Sequence, residues 1–157
     1  MTVVYIGLGA NLGDRAATLE RALAYLRAEP ELHVLAVSQV RETAPVGLRE
    51  QPAFLNAAAA LETTLAPRAL LDRLLAIERR LGRTREGLRW GPRTIDRDLL
   101  VHGDAVVARP GLQVPHPRLA QRRFVLEPLT ELAPDLVVPD LGPVAVLLAR
   151  CTEPPEV

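Results

Sequence analysis

Pro52-Ala53-Phe54-Leu55-Asn56-Ala57-Ala58-Ala59-Ala60-Leu61-Glu62-Thr63-Thr64 is the stretch on which the fold turns. Its alanines favour helix by propensity. Pro52 ahead of it and the Thr63-Thr64 pair behind it frame a short paired segment instead, so 53–62 reads as a strand. Upstream, Thr2 to Leu8 is an apolar run that ends at Gly7 and Gly9, a buried strand. Asp14 offers an N-cap, and Leu19, Ala22, Leu23 and Leu26 follow at helical spacing until Pro30 stops the element. His33 to Glu42 is rich in valine and reads as another strand. Downstream, Pro67 opens a second helix where its missing N–H costs little. Leu70, Leu71, Leu74, Leu75, Ile77 and Leu81 form its buried stripe, and Gly82 ends it. Thr94 to Val101 is the last core strand.

The order is therefore βαββαβ. That is an α+β fold of the ferredoxin-like or split βαβ kind, with two helices on one face of a four-stranded antiparallel sheet. From Gly103 the chain is punctuated by prolines and holds one short helix, Arg123 to Leu132. This C-terminal extension is expected to wrap the sheet and to supply site residues. With no internal repeat, low-complexity linker or composition break, 1–157 is expected to be a single domain.

Composition excludes several functions. The formal net charge is zero, which argues against a nucleic-acid or membrane surface. One cysteine, Cys151, permits no internal disulfide, and no apolar run is long enough to cross a bilayer, so a soluble cytoplasmic protein is expected. All nineteen basic residues are arginine. Without lysine there is no P-loop, and any nucleotide phosphate must be held by other means, for which the bidentate guanidinium is suited.

The stretch Trp90-Gly91-Pro92-Arg93-Thr94-Ile95-Asp96-Arg97-Asp98-Leu99-Leu100 carries the chemistry. In a strand Asp96 and Asp98 share a face, and two carboxylates so close are tolerated when a divalent cation sits between them. Arg79, Arg80, Arg83, Arg85, Arg89 and Arg93 lie just upstream with Gly82, Gly87 and Gly91 among them, a pattern expected of a mobile loop that closes on phosphate. Acids for metal beside forks for phosphate point to a magnesium-nucleotide site. His116, fixed between Pro115 and Pro117 and followed by Arg118, Arg122 and Arg123, reads as a phosphate donor. His33 and His102 have no motif around them and read as structural or exposed. Gly7 to Gly13 faintly resembles a dinucleotide fingerprint with the wrong spacing, and a tight strand-to-helix turn is the simpler reading.

Taken together, these residues resemble the 6-hydroxymethyl-7,8-dihydropterin pyrophosphokinase family of folate biosynthesis, whose members transfer pyrophosphate from ATP to a pterin. Tyr5-Ile6-Gly7-Leu8-Gly9-Ala10-Asn11-Leu12-Gly13, Gln51-Pro52-Ala53-Phe54-Leu55-Asn56-Ala57-Ala58, the Trp90–Leu100 signature, and Val114-Pro115-His116 with Arg122 and Phe124 carry the likeness, in the family's order. The resemblance covers about residues 1 to 140. It implies that Asp96 and Asp98 bind two Mg²⁺ ions across the ATP phosphates, and that Arg83 and Arg93 act with them in the catalytic set. Glu78, Arg85, Trp90, Arg93, His116 and Arg122 would contact ATP. Phe54 and Phe124 would stack the pterin, with Thr43, Ala44, Val46 and Asn56 reading its edge. Phe54 stands where many members have tyrosine, and Glu86 and Gly111 stand where basic residues are usual. The implied substrates are ATP and 6-hydroxymethyl-7,8-dihydropterin, the implied protein a cytoplasmic monomer with no nucleic-acid or membrane partner.

Two other readings of a ferredoxin-like fold fit less well. An RNA-binding module would show sheet aromatics and net positive charge, both missing here. A regulatory small-molecule domain has no need of an acid pair beside an arginine loop.

Overall fold

A computed structural model describes residues 1–10, 14–43, 54–83 and 96–152. Its core follows the expected order, with one strand divided. The strand β1 (Thr2–Ala10) leads into α1 (Arg15–Ala28), then β2 (Leu32–Val37), β3 (Arg41–Thr43), β4 (Phe54–Thr63), α2 (Pro67–Arg83) and β5 (Asp96–His102). The sheet order is β2-β4-β1-β5, every pair antiparallel, with β3 continuing beside β4 past the end of β2. This is the split βαβ arrangement. The alanine run does lie in a strand. Ala57, Ala58, Ala59 and Ala60 are all buried, because elements cover both faces of β4 and leave room only for small side chains. Tertiary packing has overridden helix propensity.

The capping signals act as the sequence implies. Asp14 accepts from the Ala17 N–H at 3.1 Å, and the backbone turns out of helix at Glu29, directly before Pro30. Val4, Ile6 and Leu8 of β1 point to one face and pack with Leu19, Ala22 and Leu26 of α1 and Leu70, Leu74, Ile77 and Leu81 of α2. The other face is covered by the extension. Leu100 and Val101 of β5 pack there with Leu119, Val138, Val144 and three residues of α3 (Arg123–Leu132), namely Val125, Leu126 and Leu129. The extension also holds a hairpin of β6 (Val107–Arg109) and β7 (Leu112–Val114), a small hairpin of β8 (Val137–Val138) and β9 (Gly142–Pro143), and a further helix, α4 (Val144–Arg150).

Three expectations need correction. The segment His33 to Glu42 is two strands: the register shifts between Val34 and Ala36, and the chain leaves the ladder around Ser38. There the Ser38 side chain substitutes for a strand partner. Its Oγ accepts from Ala58 N–H at 2.8 Å and donates to the Gln39 carbonyl at 3.0 Å, while Ser38 N–H donates to the Ala58 carbonyl at 2.8 Å. The first strand does not end at Gly7 and Gly9 but runs through both to Ala10, so these two are not turn residues. The extension has two α-helices among the described residues, not one, because Pro143 sets a helix start that the short, alanine-containing apolar run 144–149 does not announce by period. The first two residues expected in the last strand, Thr94 and Ile95, lie outside the described residues.

Ser38 is 6% exposed, and losing its hydroxyl would leave a buried backbone N–H at Ala58 without a partner. Ser38→Ala should therefore lower unfolding free energy by about 1–3 kcal/mol, read as a shifted urea midpoint at unchanged slope.

Candidate active site

The β1 register sets the floor of the site. Gly7 pairs with Asp98 on one side and Ala58 on the other; Gly9 pairs with Asp96 and Asn56. Both glycines fall on the face opposite Ile6 and Leu8, the face that the extension covers. A Cβ built on Gly9 would lie 2.8 Å from Asn56 Oδ1 and 3.7 Å from Phe54 Cδ1. Phe54 and Asn56 thus lean over bare backbone. The central strand contributes no side chain between β4 and β5 here; the Leu100 side chain lies 3.6 Å from where a Gly7 Cβ would stand, and Asn56 closes over Gly9. Asn56 is itself buried, at 7% exposure.

On the far side of β1, Asp98 and His116 face one another. His116 follows a cis Val114–Pro115 peptide, and its N–H donates to the Leu100 carbonyl at 2.9 Å, which fastens the segment to β5. Its Nδ1 accepts the Arg118 N–H at 3.2 Å, so in the neutral ring the proton sits on Nε2. Nε2 lies 3.7 Å from Asp98 Oδ1, too far for a hydrogen bond, and is left as a donor for an incoming oxygen. Burial pushes the His116 pKa below its ordinary value; Arg118 and Arg122 push it the same way and Asp98 opposes them. The Arg122 guanidinium stands 5.4 Å from the Phe124 ring centroid, and Phe124 packs on the second-face core. His116 and Arg122 thus lie between the acid on β5 and the aromatic on α3.

Asp98 and His116 also form one end of a cleft of about 580 Å³ along the outer edge of β5. Leu71 of α2, Leu99 of β5 and Leu112 of β7 line it with apolar surface, and Arg109 and Gln113 add polar groups. Gly111 belongs to its wall. With φ +75° it occupies the turn between β6 and β7, where a side chain would be strained, which is a local reason for glycine there.

The structure thus brings Asp98, His116 and Arg122 together at one place, and Phe54 and Asn56 at another on the same sheet face; Phe124, stacked under Arg122, borders the first. Glu78 is not on the cleft wall; it borders a narrow apolar seam with Leu8, Ala22 and Leu74. Asp96 and Thr43 keep the backbone registers opposite Gly9 and Phe54, and Arg83 closes α2, but their side chains lie outside the described residues. Ala44, Val46, Arg85, Glu86, Trp90 and Arg93 lie outside them altogether, as does most of the expected arginine loop. Of that arginine run, Arg80 has a packing role: its guanidinium sits 5.2 Å from the Tyr25 ring centroid. His102 is buried, with Nε2 2.8 Å from the Leu65 carbonyl, a structural contact as expected. Sequence reasoning missed Gly7 and Gly9 as a floor and Leu71, Leu99 and Leu112 as cleft wall. The signal for the first was available, since glycines at alternate positions of a strand fall on one face.

Known proteins resemble this chain in sequence and in fold. The family model described as 7,8-dihydro-6-hydroxymethylpterin-pyrophosphokinase (HPPK) matches residues 5–134. The chain is 47% identical over 148 residues to the 2-amino-4-hydroxy-6-hydroxymethyldihydropteridine pyrophosphokinase of Pseudomonas aeruginosa, covering 94% of this chain and 91% of that one. It is 49% identical over 138 residues to the protein of that name from Methylorubrum extorquens, covering 88% and 87% respectively. Among solved structures, a Plasmodium falciparum HPPK-DHPS superposes with TM-score 0.76 at 13% identity, over 95% of this chain and 45% of that chain, a likeness of fold.

Two outcomes follow from the site geometry. Gly9→Ala forces Asn56 or the strand aside, so it should destabilise the protein by about 1–3 kcal/mol in chemical denaturation, in the range of overpacked core sites. His116 has a folded pKa below the unfolded value near 6.5, so the unfolded state binds the extra proton as pH falls through the interval between them. Its neutral form is fully compatible with the fold above about pH 6.5 and becomes a penalty below it. The melting temperature of the metal-free protein should therefore fall more between pH 7.5 and pH 5 than that of His116→Gln, and parallel curves would contradict this.

Proposed function

The chain belongs to the 7,8-dihydro-6-hydroxymethylpterin-pyrophosphokinase family and is an ATP-dependent pyrophosphokinase, and we propose that ATP lies in the cleft along β5 while the pterin lies on the Gly7/Gly9 floor. The reaction moves pyrophosphate from ATP to the hydroxymethyl group of 6-hydroxymethyl-7,8-dihydropterin, a step of folate biosynthesis. The hydroxymethyl oxygen loses its proton and bonds to the β-phosphorus, the bond from that phosphorus to the bridging oxygen of the α-phosphate breaks, and AMP departs with that oxygen. The observation that carries the placement is the pairing of Gly7 with both Asp98 and Ala58, which sets the acid end of the cleft one strand from the Phe54/Asn56 floor. Strands are about 4.8 Å apart, so two ligands seated on either side of β1 can touch at their reacting ends.

Each residue then has a physical task. Leu71, Leu99 and Leu112 cover the adenine faces with apolar surface. The Nε2–H of His116 donates to a phosphate oxygen, and Arg122 and Arg93 neutralise phosphate charge. Arg83, Arg85 and Trp90 complete the nucleotide side, as the family resemblance implies; Glu78, implied there too, borders the seam between α1 and α2 and not this cleft. Phe54 and Phe124 stack on the flat heterocycle, Arg122 backing the second ring, while Asn56 offers a donor and an acceptor to the pterin edge together with Thr43, Ala44 and Val46.

Asp98, half-exposed on the cleft wall, is a hard oxygen donor, and with Asp96 two positions away it fits magnesium, which takes one or two carboxylates and completes its octahedron with phosphate oxygens and water. Two such ions, held by Asp96 and Asp98, would neutralise the triphosphate charge during transfer. We read residues 1–157 as one domain because both apolar clusters are built on the same sheet, and we propose a monomer. No helix among the described residues is long and apolar enough to cross a membrane. Because both substrates are water-soluble, we propose a cytoplasmic enzyme.

Asp98→Asn should keep its fold and lose at least about a hundredfold in kcat/KM. The assay is nucleotide chromatography after incubation with ATP, Mg²⁺ and the reduced pterin: the native enzyme releases AMP in step with pterin pyrophosphate. Accumulation of ADP with a monophosphorylated pterin would overturn the placement of the hydroxyl at the β-phosphorus, and near-native turnover by Asp98→Asn would overturn the metal assignment.

A further inference from the structure

The edge of the proposed pterin floor is tied to a helix. Among the described residues β3 pairs with β4, setting Arg41 opposite Asn56 and Thr43 opposite Phe54. A strand beside the end of a sheet gains from another anchor. Glu131, in the last turn of α3, supplies it with both oxygens. Oε1 accepts from Arg41 Nη2 at 2.7 Å, and Oε2 accepts from the Gln39 N–H at 2.9 Å, a backbone group at the break between β2 and β3. The pair is partly buried, with Arg41 and Glu131 side chains 21% and 32% exposed, so it is less screened than a surface ion pair. A second tie, Arg15 to Glu42 at 3.5 Å, is longer and more exposed.

Resting on the pterin placement above, we propose that Glu131 is a positioning residue for pterin recognition. Its carboxylate ties β3 to α3, so that one helix carries Phe124 in its first turn and fixes, two turns later, the strand that pairs with Phe54 and Asn56. The two residues are seven positions apart, about 10 Å along the axis, which is the scale of the bicyclic substrate it would frame. The ATP cleft lies on the far edge of the sheet, with β4, β1 and β5 between it and β3. Loosening β3 therefore acts on one substrate.

The test uses the full chain and four variants, Glu131→Ala, Arg41→Met, the double variant, and Phe54→Ala. Pterin and ATP dissociation constants, kcat and melting temperature are measured for each. Glu131→Ala should weaken pterin binding about tenfold, leave ATP affinity within about twofold, and lower affinity more than kcat. Arg41→Met should do the same to a smaller degree, and the double variant should be no worse than Glu131→Ala, because both act through one contact. Equal losses for both substrates, or a lower melting temperature with unchanged pterin affinity, would show a merely structural contact and overturn the proposal. Should Glu131→Ala fail to fold, Arg41→Met decides on the same criterion. Phe54→Ala separates the two levels. If it weakens pterin binding while Glu131→Ala and Arg41→Met do not, the positioning role fails and the pterin placement stands; if Phe54→Ala leaves pterin binding unchanged, the placement itself fails.

Discussion

The pairing of β1 between β4 and β5 is the constraint on which the rest of the molecule depends. Its odd face and its even face have different duties: Val4, Ile6 and Leu8 seal the core under α1 and α2, while Tyr5 meets the second core and Gly7 and Gly9 make room for Leu100 and Asn56. A slip of one residue would exchange the two faces and place leucine where that room is needed. The hydrophobic demand of the first core thus holds the site in register. Core packing and the geometry of the proposed pterin site are set by the same hydrogen-bond ladder.

The second core does related work from the opposite direction. Leu126, Leu129 and Val125 dock α3 onto the sheet through apolar burial, which fixes the height of Phe124 and the reach of Glu131. The helix holds one exception to regularity, Pro128, which cannot donate to the carbonyl four residues back, that of Phe124. The His116 segment is fixed in the same economical way, by a backbone bond to Leu100, a residue whose side chain belongs to that core. The polar site is therefore suspended between two apolar clusters.

Much of the fold was legible in the residues because its signals were local. Asp14, Pro30, Pro67 and the leucine stripe of α2 mark element ends through backbone chemistry that does not depend on distant contacts. The break at Ser38 was not legible, since it depends on a hydroxyl bonding a strand twenty residues away. For the candidate site, His116 between two prolines and the Asp-x-Asp strand stand out by unusual local composition. The cleft wall did not, because Leu71, Leu99 and Leu112 look like any core leucines until three elements bring them together. Glu131 was equally silent: one more helix glutamate in sequence, it gains meaning only from Arg41 ninety positions earlier.

The glycine floor also limits the routes by which this sequence can drift. Phe54 has a near neighbour in tyrosine, which keeps a flat ring, so that position can be explored in small steps. Gly9 has none, because every other amino acid adds at least a Cβ, and the first such atom already meets the Asn56 amide. At that position the mutational landscape is a cliff, not a slope. Change there requires a simultaneous change across the strand pair, so the centre of the sheet evolves as a couple or stays as it is.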